Sequence, residues 1–419
     1  MAPEETGFSA PRGTRDLLPP ASSAWQKVIR YAQDSFSKAG YQPVETPAFE
    51  QTEVFARGVG ATSEVVTKQM YTFTDQGGRS LTLRPEATAS VVRAVLENNL
   101  HRGALPVKLA YFGWMYRQER PQKGRYRQFF QLGIEALGAS AATVDAEVIE
   151  VADRFYKGLG LKTILKLNSI GHPGESCRGS YNDALVAYLR EHEASLAEED
   201  RARIATNPLR TFDSKESSTI AVMSEAPVIT DHLCSDCAEH FVTIRSALDA
   251  VGIEYELDPR LVRGLDYYTR TAFEFVAGDL GAQNAVGGGG RYDGLAEVLG
   301  GPPVPGIGFA LGLDRIMLAL GDIALEPAVT AYVVALGDEA IREAFPLATR
   351  LRRAGIGCEF DLMGRQMKGQ MKDAVRSGAR FAVIIGEAEL EAGEATVKDL
   401  ATGEQERVAL DRLEEWLGA

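Results

Sequence analysis

Tyr111–Glu135, YFGWMYRQERPQKGRYRQFFQLGIE, decides how the rest of the chain reads. Its middle, Arg117 to Arg127, gathers five cations (Arg117, Arg120, Lys123, Arg125, Arg127) around one acid, Glu119. Apolar, strand-like residues flank it: Leu109 to Met115 before, Gln128 to Ile134 after. Pro121 and Gly124 punctuate the middle, as in a turn between two strands. The pattern predicts a hairpin with a cationic tip and inner rims. Arg keeps its charge, and its planar fork matches phosphate oxygens two at a time. Two readings fit this stretch: a polyphosphate clamp, or a solvated surface hairpin.

Composition bounds the alternatives. The 419 residues suffice for two or three domains, and 45% hydrophobic with 25% charged residues is ordinary globular composition. Met1 to Pro20 holds no apolar run of signal-peptide length, and no window approaches a spanning helix, so no membrane role is expected. Four cysteines (Cys177, Cys234, Cys237, Cys358) suit reduced thiols in a cytoplasmic protein. A net charge of −13 argues against a generic nucleic-acid coat while leaving room for local basic patches.

Upstream of the hairpin, the spacing of Trp25, Val28, Ile29, Ala32 and Phe36 predicts a helix to about Lys38, with Ser22 or Ser23 as N-cap and Gly40 closing it. Tyr41 to Phe49, interrupted by Pro43 and Pro47, reads as an edge or interface strand. Met70 to Leu83 predicts a second hairpin, turning at Asp75 to Gly78 and delivering LRPEATA. Glu86 there suits a helix N-terminus, either as a dipole partner or as the binder of an ammonium group.

Downstream, a helix near Asp145 to Lys157 leads to a strand at Thr163 to Ser169. The segment 171–251 turns helical and acidic and reads as an inserted module. Strand-rich sequence then resumes with LVRGLDYYTRTAFEFV, the glycine run Gly287 to Gly290, and GIGFALGLDRIMLAL. After a linker at Gly321 to Thr330, strands at Ala331 to Leu336, Gly357 to Leu362 and Phe381 to Ile385 alternate with helices. That βαβαβ order predicts a small parallel sheet.

Other motifs differ in what they carry. No P-loop pattern occurs, and Gly306, Gly308 and Gly312 miss the dinucleotide fingerprint by one residue. His232, Cys234, Cys237 and His240 form HxCxxCxxH, but a tetrahedral zinc site usually draws ligands from two pieces of chain, so this run reads as structural and no metal held by protein side chains is expected. Arg263 and Arg315 interrupt apolar segments where an unpaired charge is costly; core pairing with Asp266 or Asp314 is the bland alternative to phosphate binding. Arg365, Lys368, Lys372 and Arg376 fall on one helical stripe, a backbone-phosphate footprint or a solvated face.

Taken together, PRGTRDLLP, TPAFE, LRPEATA, YRQERPQKGRYRQFFQLGIE, LVRGLDYYTRTAFEF and GLDRIMLAL resemble the histidyl-tRNA synthetase family, essentially end to end. TPAFE, the hairpin and GLDRIMLAL look like motifs 1, 2 and 3 of class-II synthetases, and LVRGLDYY like the histidine-specific signature. The resemblance implies an α+β fold: a class-II antiparallel-sheet catalytic domain (1–170 and 252–322), a helical insertion (171–251), and a C-terminal α/β anticodon-binding domain (331–419). It implies a cytoplasmic homodimer joining L-histidine to tRNA(His) through a histidyl-adenylate, with ATP as substrate and Mg²⁺ accompanying it.

The resemblance also assigns residues. Arg117 would hold the α-phosphate, with Arg125, Arg315 and Glu119 around the rest of ATP. Arg263 would bridge phosphate and substrate carboxylate. Glu86, Thr88 and Gln131 would bind the ammonium and carboxylate end, while Glu135, Tyr267 and Tyr268 would read the imidazole. Arg120 and Gln122 would meet the acceptor end of tRNA, and Arg365, Lys368, Lys372 and Arg376 the anticodon stem. RQFFQ departs from the RQFHQ of some bacterial members, and strand alternation should turn Phe130 away from Gln131. The rival is a catalytically inactive paralogue regulating ATP phosphoribosyltransferase; such proteins typically lack the anticodon-binding domain and parts of LVRGLDYY. A pseudo-synthetase sensing uncharged tRNA would be fused to a kinase, whose signatures are missing here.

Overall fold

The computed structural model describes residues 8–60, 63, 65–206, 208–262, 267–278, 284–324 and 329–418. Arg263 lies outside them. The chain divides into two compact units, Met1–Ile323 and Ala324–Ala419.

The first unit is built on an eight-stranded sheet in the order Gln42–Pro43, Val107–Tyr116, Gln128–Leu137, Gly306–Gly312, Ala285–Arg291, Thr269–Val276, Ile164–Ser169 and Glu256–Leu257. Only the outermost pairs are parallel; every interior pair is antiparallel. The cationic stretch forms the predicted hairpin, with Val107–Tyr116 paired along its whole length to Gln128–Leu137. Side chains alternate across a strand, and this sets the layout of the unit. Leu132, Ile134 and Ala136 turn to one face, where helices Ala21–Ser37, Ala142–Gly158 and Ser235–Ala250 bury them with Trp25, Phe36, Phe155 and Leu248. Gln131 and Glu135 turn to the other face.

Phe130 shares the helix face. It packs edge-on against Trp114 (5.1 Å) and Trp25 (6.0 Å), away from Gln131, as alternation predicts. The glycine run, whose composition suits either close backbone approach to a ligand or tight turns, lies within the interior strand Ala285–Arg291, and Gly287 and Gly288 line the cleft described below. A Cβ on Gly289 would stand 2.0 Å from the Gly308 carbonyl oxygen, so the neighbouring strand approaches as closely as only glycine allows.

The second predicted hairpin pairs Tyr71–Thr74 with Ser80–Leu83, which also pairs with Phe49–Gln51. It leads into helix Thr88–Glu97. The first helix begins at Ala21 after Pro20, so Ser22 and Ser23 lie inside it and do not cap it. Between the strands Ile164–Ser169 and Glu256–Leu257, short helices bury Tyr181, Leu185, Leu189 and Met223 in a core that extends to Ala272 of the sheet and to Tyr268 just before its strand.

In the second unit Cys358–Phe360, Ala331–Ala335 and Phe381–Ile385 are parallel neighbours, and Glu394–Asp399 and Gln405–Ala409 complete the sheet antiparallel. The strands AYVVA and FAVII are buried throughout, because helices cover both faces. Helix Met367–Arg376 begins after Arg365, so the basic stripe is part loop and part helix.

Candidate active site

A cleft of about 260 Å³ opens on the sheet face opposite the three packed helices. Of the residues singled out from sequence, Glu86, Thr88, Arg117, Glu119, Arg125, Gln131, Tyr267, Tyr268 and Arg315 line it. Glu135 lies buried directly behind them.

At one end sit the cations. Glu119 stands between two of them, 3.8 Å from Arg117 and 3.6 Å from Arg125. Arg315 donates to the Ala285 carbonyl (2.7 Å), and burial together with the Arg125 charge holds its pKa below the ordinary value. The suspected core pair of Arg315 with Asp314 does not form: Asp314 accepts from Arg15 (2.8 Å) and from the Phe130 N–H (3.2 Å). Arg15 also lies 4.3 Å over the Tyr126 ring, so the PRGTRD segment is fastened across this end.

The opposite end is acidic and aromatic. Glu86 accepts the backbone N–H groups of Thr88 (2.6 Å) and Ala89 (3.0 Å), so it caps helix Thr88–Glu97 while facing the cleft. Burial raises its pKa, against the pull of those bonds and of Arg117. Thr88 Oγ1 donates to Glu135 (2.6 Å), and the Tyr292 hydroxyl donates to the other Glu135 oxygen. Burial pushes the Glu135 pKa up to about 8. Tyr267 packs against Tyr268 (4.6 Å) and Tyr292 (5.7 Å). A Cβ on Gly308 would meet a Glu135 oxygen at 1.9 Å, and one on Gly290 would meet Tyr268 at 2.9 Å. Glycine in these strands makes room for the floor.

Arg117 joins the ends. Its Nε donates to the Pro85 carbonyl (2.9 Å) beside Glu86, its guanidinium lies 5.3 Å over Phe129, and its other side faces Glu119. Gln131 carries the cleft's most telling atom: its buried Oε1 accepts no hydrogen bond. Buried polar atoms are normally paired, so this atom leaves an open acceptor on the cleft wall.

The first of the two family models that match the chain, described as Histidyl-tRNA synthetase, covers residues 13–316. The chain belongs to the histidyl-tRNA synthetase family. The second, described as Anticodon binding domain, covers residues 330–419. Among similar curated proteins, a histidine–tRNA ligase of Halothermothrix orenii is 48% identical over 96% of this chain and 97% of its own length. One from Pelotomaculum thermopropionicum is 49% identical over 97% and 96%. The crystal structure of apo S. aureus histidyl-tRNA synthetase superposes with a TM-score of 0.83 at 39% identity, over 99% of this chain and 100% of that one. The regulatory-paralogue reading has less support, since the anticodon-domain match spans the second unit.

Not every expected residue enters the synthetase cleft. Arg120 and Gln122 occupy the hairpin tip, where Gln122 and Arg125 bridge, and neither lines the cleft. In the second unit Arg365 pairs with Asp361 (3.0 Å) and Asp373 (2.6 Å), and Arg376 with Asp373 (2.8 Å), whereas Lys368 and Lys372 stand exposed. Sequence reasoning missed Tyr292, Arg15, Tyr126, Phe129 and Glu274, all near or lining the cleft; none carries a local signal apart from proximity to a quoted motif. It also missed Arg291, fully buried and bonded to Asp145, which in turn accepts from Thr271 and pairs with His240 (2.9 Å).

Proposed function

We propose that this cleft activates histidine with ATP and passes it to tRNA(His). The enzyme is a histidine–tRNA ligase of class II, and the residue roles follow from its two-ended cleft. The supporting observation is the unpaired Gln131 oxygen between a cationic end and an acidic, tyrosine-walled end.

Gln131 Oε1 and Glu86 accept the substrate ammonium. Glu135, held by Thr88 and Tyr292, reads an imidazole N–H through the Tyr267–Tyr268 wall. A site built for hydrogen bonds rejects isosteres that lack the matching group, because its own buried polar atoms then stay unpaired. This arrangement leaves the substrate carboxylate pointing to Arg117. ATP lies toward Arg125 and Arg315, at the end of the cleft that Phe129 and Tyr126 also line. The carboxylate oxygen attacks the α-phosphorus, the α–β bridging bond breaks, and pyrophosphate leaves with its electron pair. Arg117 offsets the charge that develops on the α-phosphoryl oxygens, and fixed guanidinium groups do so without reorganising. The tRNA terminal hydroxyl then attacks the activated carbonyl and AMP departs. Neither step needs a covalent enzyme intermediate; alignment supplies the rate.

The hard oxygens of Glu119 and Glu274 at the cationic end suit Mg²⁺, which would screen the triphosphate and be held chiefly by phosphate oxygens and waters. Arg263 would add a bridge between phosphate and carboxylate. Exposed Lys368 and Lys372, with the arginines beside them, suit the anticodon stem, and Arg120 and Gln122 the acceptor end. The working form is a cytoplasmic homodimer.

Histidine-dependent ATP–pyrophosphate exchange on the purified chain tests this. Exchange with histidine alone among the amino acids supports it; no exchange with any amino acid in a folded sample sinks it.

A further inference from the structure

Cys234 and Cys237 do not meet His232 or His240. His232 stacks on Tyr181 (5.6 Å), and His240 is taken by Asp145. The two cysteines instead face a second piece of chain, His172 and Cys177, which follows the strand Ile164–Ser169. The His172 Nδ1 atom lies 3.2 Å from Cys237 Sγ and 3.7 Å from Cys234 Sγ, and all four ligand-type atoms lie within 4.8 Å of one another.

We propose that His172, Cys177, Cys234 and Cys237 form a tetrahedral zinc site that clips the start of helix Ser235–Ala250 to the segment that follows strand Ile164–Ser169. Zinc takes thiolate at about 2.3 Å and imidazole at about 2.0–2.1 Å, so a regular tetrahedron sets neighbouring ligand atoms about 3.5–3.8 Å apart. The cluster is already near that spacing. Its sequence pattern, His-x4-Cys followed by Cys-x2-Cys, supplies the two separate pieces of chain that HxCxxCxxH lacked.

The surroundings fit the assignment. Cys234 precedes helix Ser235–Ala250 and Cys237 lies in its first turn, where the helix dipole favours thiolate. Three thiolates and Zn²⁺ leave a net charge of −1, and Arg178 provides the counter-charge. Gly171 has φ +60°, and a Cβ there would meet Cys177 Sγ at 2.6 Å, so the knuckle closes only with glycine. Arg178 donates to the carbonyls of Ile170 (3.2 Å), Gly171 (3.1 Å) and Tyr268 (2.7 Å). The knuckle is thereby fastened to the backbone of an imidazole-reading residue. The site is structural: four protein ligands leave no open position for a water.

Metal analysis of the full-length chain, purified without a polyhistidine tag under reducing conditions from zinc-supplemented medium, tests the assignment. About one zinc per chain is expected. Cobalt(II) in its place should give the intense visible bands and thiolate charge transfer of a tetrahedral site. The double variant Cys234→Ser, Cys237→Ser should lose the zinc, while Cys358→Ser and His232→Ala should keep it. Should the double variant fail to fold, mercurial titration of the intact protein decides, with zinc release tracking blockage of three thiols. Absence of zinc together with failure to take up cobalt would overturn the proposal, as would zinc retained in a folded double variant or released without thiol blockage.

Discussion

The Thr88 hydroxyl donates a 2.6 Å hydrogen bond to Glu135, joining the first turn of helix Thr88–Glu97 to the C-terminal part of strand Gln128–Leu137. Two motifs far apart in sequence therefore share one buried carboxylate. With Tyr292 bonded to the other oxygen, Glu135 is fixed in orientation before any substrate arrives.

This carboxylate gives the fold a pH signature. Its folded-state pKa, about 8, lies above the ordinary 4.5, so the folded chain binds the proton more tightly than the unfolded one. The stability it contributes is present in full below about pH 4.5 and is lost as pH rises to about 8. Glu135→Gln removes that titration. The stability of the variant relative to the parent should rise by up to ~1.4 kcal/mol per pH unit across this window, measured by denaturant unfolding. A flat difference would show that Glu135 titrates normally.

Arg117 is the cation that faces both ends of the cleft. Arg117→Ala should reduce kcat for histidine-dependent pyrophosphate exchange roughly 10²–10³-fold, the scale seen when one preorganised charge donor is removed. A change confined to KM for ATP would place Arg117 in ground-state binding instead.

Phe130 tests the division between the two sheet faces. Phe130→His exchanges one aromatic contact with Trp25 and Trp114 for a polar ring on the helix side. It should cost about 1–2 kcal/mol of stability and leave KM for histidine and ATP unchanged. A shift in the histidine KM would show coupling through the strand.

Asp145 has no route to the cleft and serves the core. Its pKa is lowered because His240, Arg291 and Thr271 together outweigh burial. Asp145→Asn removes one of the two carboxylates that pair with buried Arg291, leaving Asp293 (2.9 Å), and should destabilise the fold by up to about 3–5 kcal/mol, read as a fall in the denaturation midpoint.

Lys368→Glu with Lys372→Glu should weaken tRNA binding and lower its salt dependence by about one unit of slope per lysine, while pyrophosphate exchange is unchanged. Loss of exchange as well would show that the second unit is needed for the first step.

Local residue patterns carried the elements and the motifs. Turn residues fixed the central hairpin, helical spacing located Ala21–Ser37 and Ala142–Gly158, and buried apolar runs marked the strands Ala331–Ala335 and Phe381–Ile385. These signals are local, set by backbone preference and side-chain periodicity over a few residues. Alternation alone was enough to send Phe130 and Gln131 to opposite faces. Partners across the fold were another matter. That Asp314 takes Arg15 and not Arg315, that Asp145 holds Arg291 and His240, and that Cys234 and Cys237 face His172 and Cys177 follow from strand order. Strand order is settled by the packing of whole faces. Residues on distant segments meet because the sheet places their strands side by side, and no spacing within either segment carries that information.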